Sequence, residues 1–127
     1  MSVSCEMYTG LTIEVFTDLT SVDWEVIHAF EDKYPKLDKY NHQYPNYEGK
    51  LLLISDGMNG DFCRLCWVDK YKDDISFGSG NNIVELPMPG GPDYATKKVL
   101  MKEYYEELTG EPFPANKLKY AMWTMWG

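Results

Sequence analysis

The sequence predicts an α+β fold: a mainly antiparallel sheet of about six strands with two amphipathic helices packed on one face. Three observations predict it. Apolar and polar residues alternate along residues 3–15, the mark of half-buried strands. Trp24, Ile27, Phe30 and Tyr34, and later Tyr94, Met101, Tyr104, Tyr105 and Leu108, recur at the spacing of one helical face. Leu51, Leu52, Leu53 and Ile54 form an unbroken apolar block between turn residues, as in a strand covered on both faces. Residues 1–127 fit one domain, of a size that buries roughly two-thirds of its surface without a metal or a disulfide.

Taken in order, Val3, Cys5 and Met7 alternate with Ser4 and Glu6, and Leu11, Ile13 and Val15 alternate with Thr12 and Glu14. Thr9-Gly10 between them reads as the turn of a hairpin, with glycine supplying the backbone freedom. Thr20 or Ser21 is placed to cap the first helix, Asp23 and Glu25 suit its positive end, and Pro35 stops it.

Residues 34–50 (YPKLDKYNHQYPNYEGK) follow neither period and exceed the usual connector of about 4–6 residues. Long ordered loops carry function. Tyr40, Tyr44 and Tyr47 offer a recognition surface, since a tyrosine combines contact area with a polar tip. In the other reading these rings fold back over the sheet as a lid.

The stretch from Lys50 to Asp69 reads as strand, turn and strand in the middle of the sheet. DKYKDD, residues 69–74, reads as a charged turn. Ile75 and Phe77, then Ile83, Val84 and Leu86, give two short strands joined through residues 78–82. PMPGGP is a punctuated loop before a second helix opened by Asp93, whose charged residues, Lys97 among them, fall mostly on the outer face. Gly110 ends this helix as a C-terminal cap. In the tail, Tyr120, Trp123, Thr124 and Trp126 favour a strand, while Leu118, Ala121, Met122 and Met125 also fit a helix. We take it as a strand docked into the core, because two exposed tryptophans would be costly.

The net charge of −8 and a pI near 4.6 argue against direct binding to nucleic acid or to an anionic membrane, which would repel the chain. The charge is uneven. Residues 1–63 hold eleven acids against four lysines, and the remainder nine acids against eight bases. An acidic face from the first half would attract a basic partner; equally, acidity merely keeps a protein dispersed. Three cysteines, no signal-peptide pattern at the start and no apolar run of membrane-spanning length predict a reduced, cytoplasmic protein.

Chemical motifs are few. Cys63 and Cys66 form a CxxC, and with Cys5 and His28 or His42 they have the residue types of a zinc site. Residues three apart on a strand point to opposite faces, however, so the pair cannot chelate one ion there. The cysteines read as buried small hydrophobes, and no metal or cofactor is predicted. The turn at residues 56–61 has oxygen ligands without EF-hand spacing. The prolines of PGGP remove the backbone donors that a phosphate cradle needs. His28 sits at the helix boundary, and no carboxylate is set apart by an apolar environment, so no catalytic residue is assigned.

These features predict a small acidic interaction module, of the inhibitor, immunity-protein or nucleic-acid-mimic type. It would mask a basic surface of a partner protein, for example one that binds nucleic acid. Glu31, Asp32, Asp38 and Glu48 would supply the charge and Tyr40, Tyr44 and Tyr47 the anchors. The alternative is a small-molecule-binding or hydrolytic protein with a pocket under the 34–50 loop, using His42 or Cys66 and aromatic walls.

Overall fold

Alternating apolar residues over eleven positions make the first strand the spine of the sheet. In the computed structural model, which describes residues 5–15, 24–39, 47–55, 63–75 and 83–126, β1 runs unbroken over Cys5–Val15. It is followed by α1 (Trp24–Lys33), β2 (Lys50–Ser55), β3 (Cys63–Ile75), β4 (Ile83–Leu86), α2 (Pro92–Thr109) and β5 (Lys119–Trp126). Short 3-10 turns lie at Pro35–Leu37 and Ala115–Lys117. The described strands form one antiparallel sheet in the order β2-β3-β1-β5-β4. The α+β class stands, with five strands rather than about six among the described residues.

The first difference from the sequence reading is at Thr9-Gly10, which lies inside β1 and is not a turn. There the register against β3 slips, from Thr9↔Lys70 to Gly10↔Val68, so Asp69 is the extra residue of a bulge. The two backbones approach closely at this point. A Cβ on Gly10 would stand 1.9 Å from the Trp67 carbonyl oxygen, so the glycine serves close contact between strands.

The second difference concerns DKYKDD, which continues β3 instead of turning. Past the bulge it pairs with the first half of β1, Tyr71 opposite Tyr8 and Lys72 opposite Met7. Ile75 therefore ends β3, and Ile83–Leu86 pairs with β5 at the far edge of the sheet. Merging these pieces lowers the strand count. Phe77 and the connector after it lie outside the described residues.

The third difference is the place of Leu51 to Ile54. Among the described strands they form an edge strand, β2, laddered to β3, and still all four side chains are buried. Leu51 and Leu53 enter one core cluster, Leu52 and Ile54 the other. Burying each aliphatic side chain contributes about 1.5–3 kcal/mol, against about 1–2 kcal/mol per residue for ordering the backbone. A strand with a one-sided ladder can therefore hold. Its outer edge meets an isolated parallel bridge, Asp38↔Leu53, a device that blunts an exposed edge.

Both clusters follow strand parity. Leu11, Ile13, Val15, Leu53, Cys63 and Leu65 share one cluster with Ile27 and Phe30 of α1 and Met101, Tyr105 and Leu108 of α2. Tyr8, Leu52, Ile54, Cys66, Val68, Ala121 and Trp123 form the other, with Tyr47. α1 ends at Lys33, before Pro35 as expected, while its expected caps, Thr20 or Ser21, lie outside the described residues. α2 ends at Gly110, which takes φ 71° and donates its N–H to the Glu106 carbonyl at 2.9 Å. The tail is a strand, and Trp123 is 2% exposed. No described helix is long and apolar enough to cross a membrane.

Candidate functional site

Where α1 gives way to Pro35–Leu37, the chain drops back against the β2 edge of the sheet and leaves a cavity of about 260 Å³. Four pieces of chain wall it: Lys36 and Leu37 from the 3-10 turn, Lys50 and Leu51 from β2, Trp67 from β3, and Leu100 and Tyr104 from α2. Their convergence follows from local rules. Pro35 forbids continuation of α1, so Leu37 is tucked in at 2% exposure. Leu51 and Trp67 are cross-strand partners. Leu100 and Tyr104 are one helical turn apart. Tyr104 stands edge-on to Tyr34 (5.1 Å) and Phe30 (6.1 Å), which fixes its ring.

Behind Trp67 lies a polar knot created by the bulge. Asp69 accepts hydrogen bonds from the Tyr94 hydroxyl (2.6 Å) and the Tyr120 hydroxyl (2.9 Å), and pairs with Lys97 at 3.6 Å. The Lys97 ammonium lies 5.0 Å from the Trp67 ring centre and 4.2 Å from that of Tyr94. The Asp69 hydrogen bond is the main cause holding the Tyr94 phenol above its ordinary pKa. For Tyr120 burial is the larger cause, with Asp69 adding to it. Lys97 thus faces the sheet rather than the outer side of α2, and the knot clamps α2 to β3 and β5.

A second polar cluster is buried on the opposite face. Glu6 accepts a hydrogen bond from Lys39 Nζ at 2.6 Å and another from the Tyr71 hydroxyl. Both charged side chains are more than nine-tenths buried. Lys39 also lies over the rings of Tyr8 (5.4 Å) and Tyr47 (5.7 Å). Tyr8 stacks on Trp123 at 5.5 Å, and burial, then the Glu6 carboxylate, push its phenol far up. Among the described residues the Tyr8 hydroxyl and Trp123 Nε1 are buried without a hydrogen-bond partner.

The residues expected to form a recognition face are brought together only in part. Glu31 and Asp32 lie on α1 and Asp38 just after the 3-10 turn. Burial is the main cause raising the Glu31 pKa, with Asp38 and Asp32 adding to it and His28, 3.7 Å away, opposing. Glu48 is exposed, and its carboxylate accepts the Tyr71 backbone N–H at 3.0 Å. That amide lies on the part of β3 that outruns β2, so Glu48 satisfies an edge donor. Tyr47 is 8% exposed and meets Tyr71 edge-on at 4.7 Å, the position of a ring folded back over the sheet. Tyr40, Tyr44 and His42 lie outside the described residues.

The cysteine pair obeys strand parity. Cys63 and Cys66 sit in different core clusters on opposite faces of the sheet. Burial pushes the Cys63 thiol far up. It pushes that of Cys66 to about 12, with its contact to Thr12 Oγ1 (3.3 Å) pulling the other way. Neither touches the cavity, and a thiol so raised is a poor nucleophile. Among the described residues no three His, Cys, Asp or Glu side chains converge to hold a metal ion. No family model, curated protein or solved structure matches the chain.

Sequence reasoning named none of the residues that wall the cavity, nor Lys97 behind Trp67, as site residues. One signal was legible: Lys97, Leu100 and Tyr104 are spaced three and four apart, on one helical face.

Proposed function

We propose that this protein binds a small molecule in the cavity framed by Pro35–Leu37, β2, β3 and α2. The single observation that carries this reading is the cavity itself. Its apolar and aromatic walls come from separate elements, with few polar groups among them, which is the composition of ligand pockets. Its volume, about 260 Å³, lies just below the usual range of about 300–1,000 Å³. The ligand is therefore about the size of one ring with a short side chain. Of the two chemistries considered for such a pocket, binding is the one supported. Cys66 lies on the other face of the sheet and no described lining residue is a histidine or a carboxylate.

The test is ligand-observed NMR with three compounds of similar size, phenylacetate, 2-phenylethanol and phenethylamine. At least one should bind the protein, and Leu100→Trp, which fills the cavity from α2, should abolish that binding while the circular dichroism spectrum is kept. If none binds, or if the variant binds as well as the parent, the reading is withdrawn.

A second reading, the acidic interaction module directed at a basic protein surface, draws on the closeness of Glu31, Asp32 and Asp38. It requires retention of a partner from native lysate at low salt that is lost at moderate salt, and lost in Asp32→Lys, Asp38→Lys, Tyr40→Ala or Tyr44→Ala variants. Retention indifferent to salt and to all four variants removes it.

A further inference from the structure

We propose that the ligand of this cavity is an anion carried on a flat apolar body, an arylcarboxylate in chemical class. The inference rests on the small-molecule reading above and adds the charge and shape of what is bound. Its first support is the sign of the local charge. The chain carries −8, yet the charged residues described in the cavity wall are both lysines, Lys36 and Lys50, on different elements. An anionic head in the cavity meets lysines of its own wall, whatever the sum over the chain.

The second support is the depth profile of the walls. Leu37 and Leu51 at the floor are buried, Lys50 is half-buried and Lys36 is exposed. The charged residues of the wall are thus the more exposed ones and its leucines the buried ones. A fully hydrated anion, such as inorganic phosphate, would lose water to the leucines without gaining donors there. A ligand with one charged end and one apolar end loses less: its head stays partly hydrated beside the lysines and its ring covers Trp67, Leu100 and Tyr104.

The third support decides against a cation. Trp67 and Tyr104 are ring types that attract an ammonium group. But the Trp67 ring already has the Lys97 ammonium 5.0 Å from its centre. A cation in the cavity would also meet Lys36 and Lys50 of its wall, and like charge disfavours it. The aromatic walls are left for stacking with a neutral ring.

The same three compounds test the inference, because they share the phenyl ring and a short arm and carry an anionic, a neutral and a cationic head group. Phenylacetate should bind on the order of 5-fold more tightly than 2-phenylethanol, as expected for two solvent-facing charge contacts. Phenethylamine should bind most weakly. In Lys36→Met and Lys50→Met, which keep an unbranched apolar side chain and remove the charge, the ratio of phenylacetate to 2-phenylethanol affinity should fall towards one. The inference is overturned if phenethylamine or 2-phenylethanol binds as tightly as phenylacetate, or if both lysine variants keep the parent's ratio. Binding of 2-phenylethanol that is lost in Leu100→Trp, without any preference for the acid, would sink this inference alone. Absence of binding by all three would sink the small-molecule reading with it.

Discussion

Replacing Lys39 by methionine keeps an unbranched stem of similar length and removes only the ammonium. The structure makes this substitution severe. Lys39 and Glu6 are 9% and 8% exposed at the side chain, and their contact is 2.6 Å. Removing one member of a buried pair typically costs about 3–5 kcal/mol, because the other charge stays desolvated. Glu6 keeps the Tyr71 hydroxyl as a donor, which places the estimate at the lower end, but the contacts of Lys39 with the Tyr8 and Tyr47 rings are lost too. The expected loss for Lys39→Met is therefore about 3 kcal/mol, a large share of the roughly 5–15 kcal/mol that holds a domain together. Glu6→Gln, which strands the ammonium, should cost about 2–3 kcal/mol on the same argument. The double variant removes both charges and should lose no more than either single one, a coupling energy of about 3 kcal/mol or more. Urea unfolding followed by tryptophan fluorescence reads this as a midpoint shift of about 1–2 M for each single variant. A single variant that unfolds within about 0.3 M of the parent, or a double variant that shows the two losses added, contradicts a coupled buried pair.

Two further outcomes are expected. Gly10→Ala would place a methyl group 1.9 Å from the Trp67 carbonyl oxygen in the middle of the sheet, so β1 and β3 must separate; a loss of about 3 kcal/mol or more should appear in thermal melts, and a melting point within about 2 °C of the parent contradicts the bulge geometry. Glu31 has a pKa raised by burial first and then by Asp38, so its ionised form opposes folding. That penalty is absent below the unfolded-state pKa and complete above the raised folded-state value. Glu31→Gln should therefore be more stable than the parent at pH 7, by about 0.5 kcal/mol after solvent screening, with the gap closing near pH 4. A gap that does not change with pH contradicts the assignment.

What the sequence made legible was what depends on short-range pattern. The helical face of Ile27 and Phe30, the stop at Pro35, the cap at Gly110 and the opposite facing of Cys63 and Cys66 all follow from spacing within about ten residues. The misreadings share a cause. Thr9-Gly10 looks like a turn and DKYKDD looks like a loop because glycine and charge usually mark chain reversals. In the fold the two are opposite each other across one strand pair. The glycine admits the Trp67 carbonyl, and the charged stretch continues as strand because β1 supplies its ladder. Neither requirement can be read from its own segment. The apolar block at residues 51–54 was read correctly as covered on both faces, but this does not establish a central position. Coverage comes from side-chain clusters and position from strand pairing, and among the described strands β2 has the first on both faces and a strand neighbour on one side.

The site was less legible than the fold because charge was summed along the chain while recognition acts locally. Eleven acids in residues 1–63 suggested one acidic face. Glu6 is buried against Lys39, and Glu48 holds an amide at the edge of β3. Glu31 is half-buried on α1, and Lys36, between Asp32 and Asp38 in sequence, lines the cavity. Beyond about 10 Å at 0.1 M salt an exposed charge is largely screened. A ligand about the size of one ring therefore responds to Lys36, Lys50 and the Lys97-backed Trp67, not to the chain total. On that length scale an acidic protein can present a site of the opposite sign, and the preference of the cavity for phenylacetate over phenethylamine measures that local sign directly.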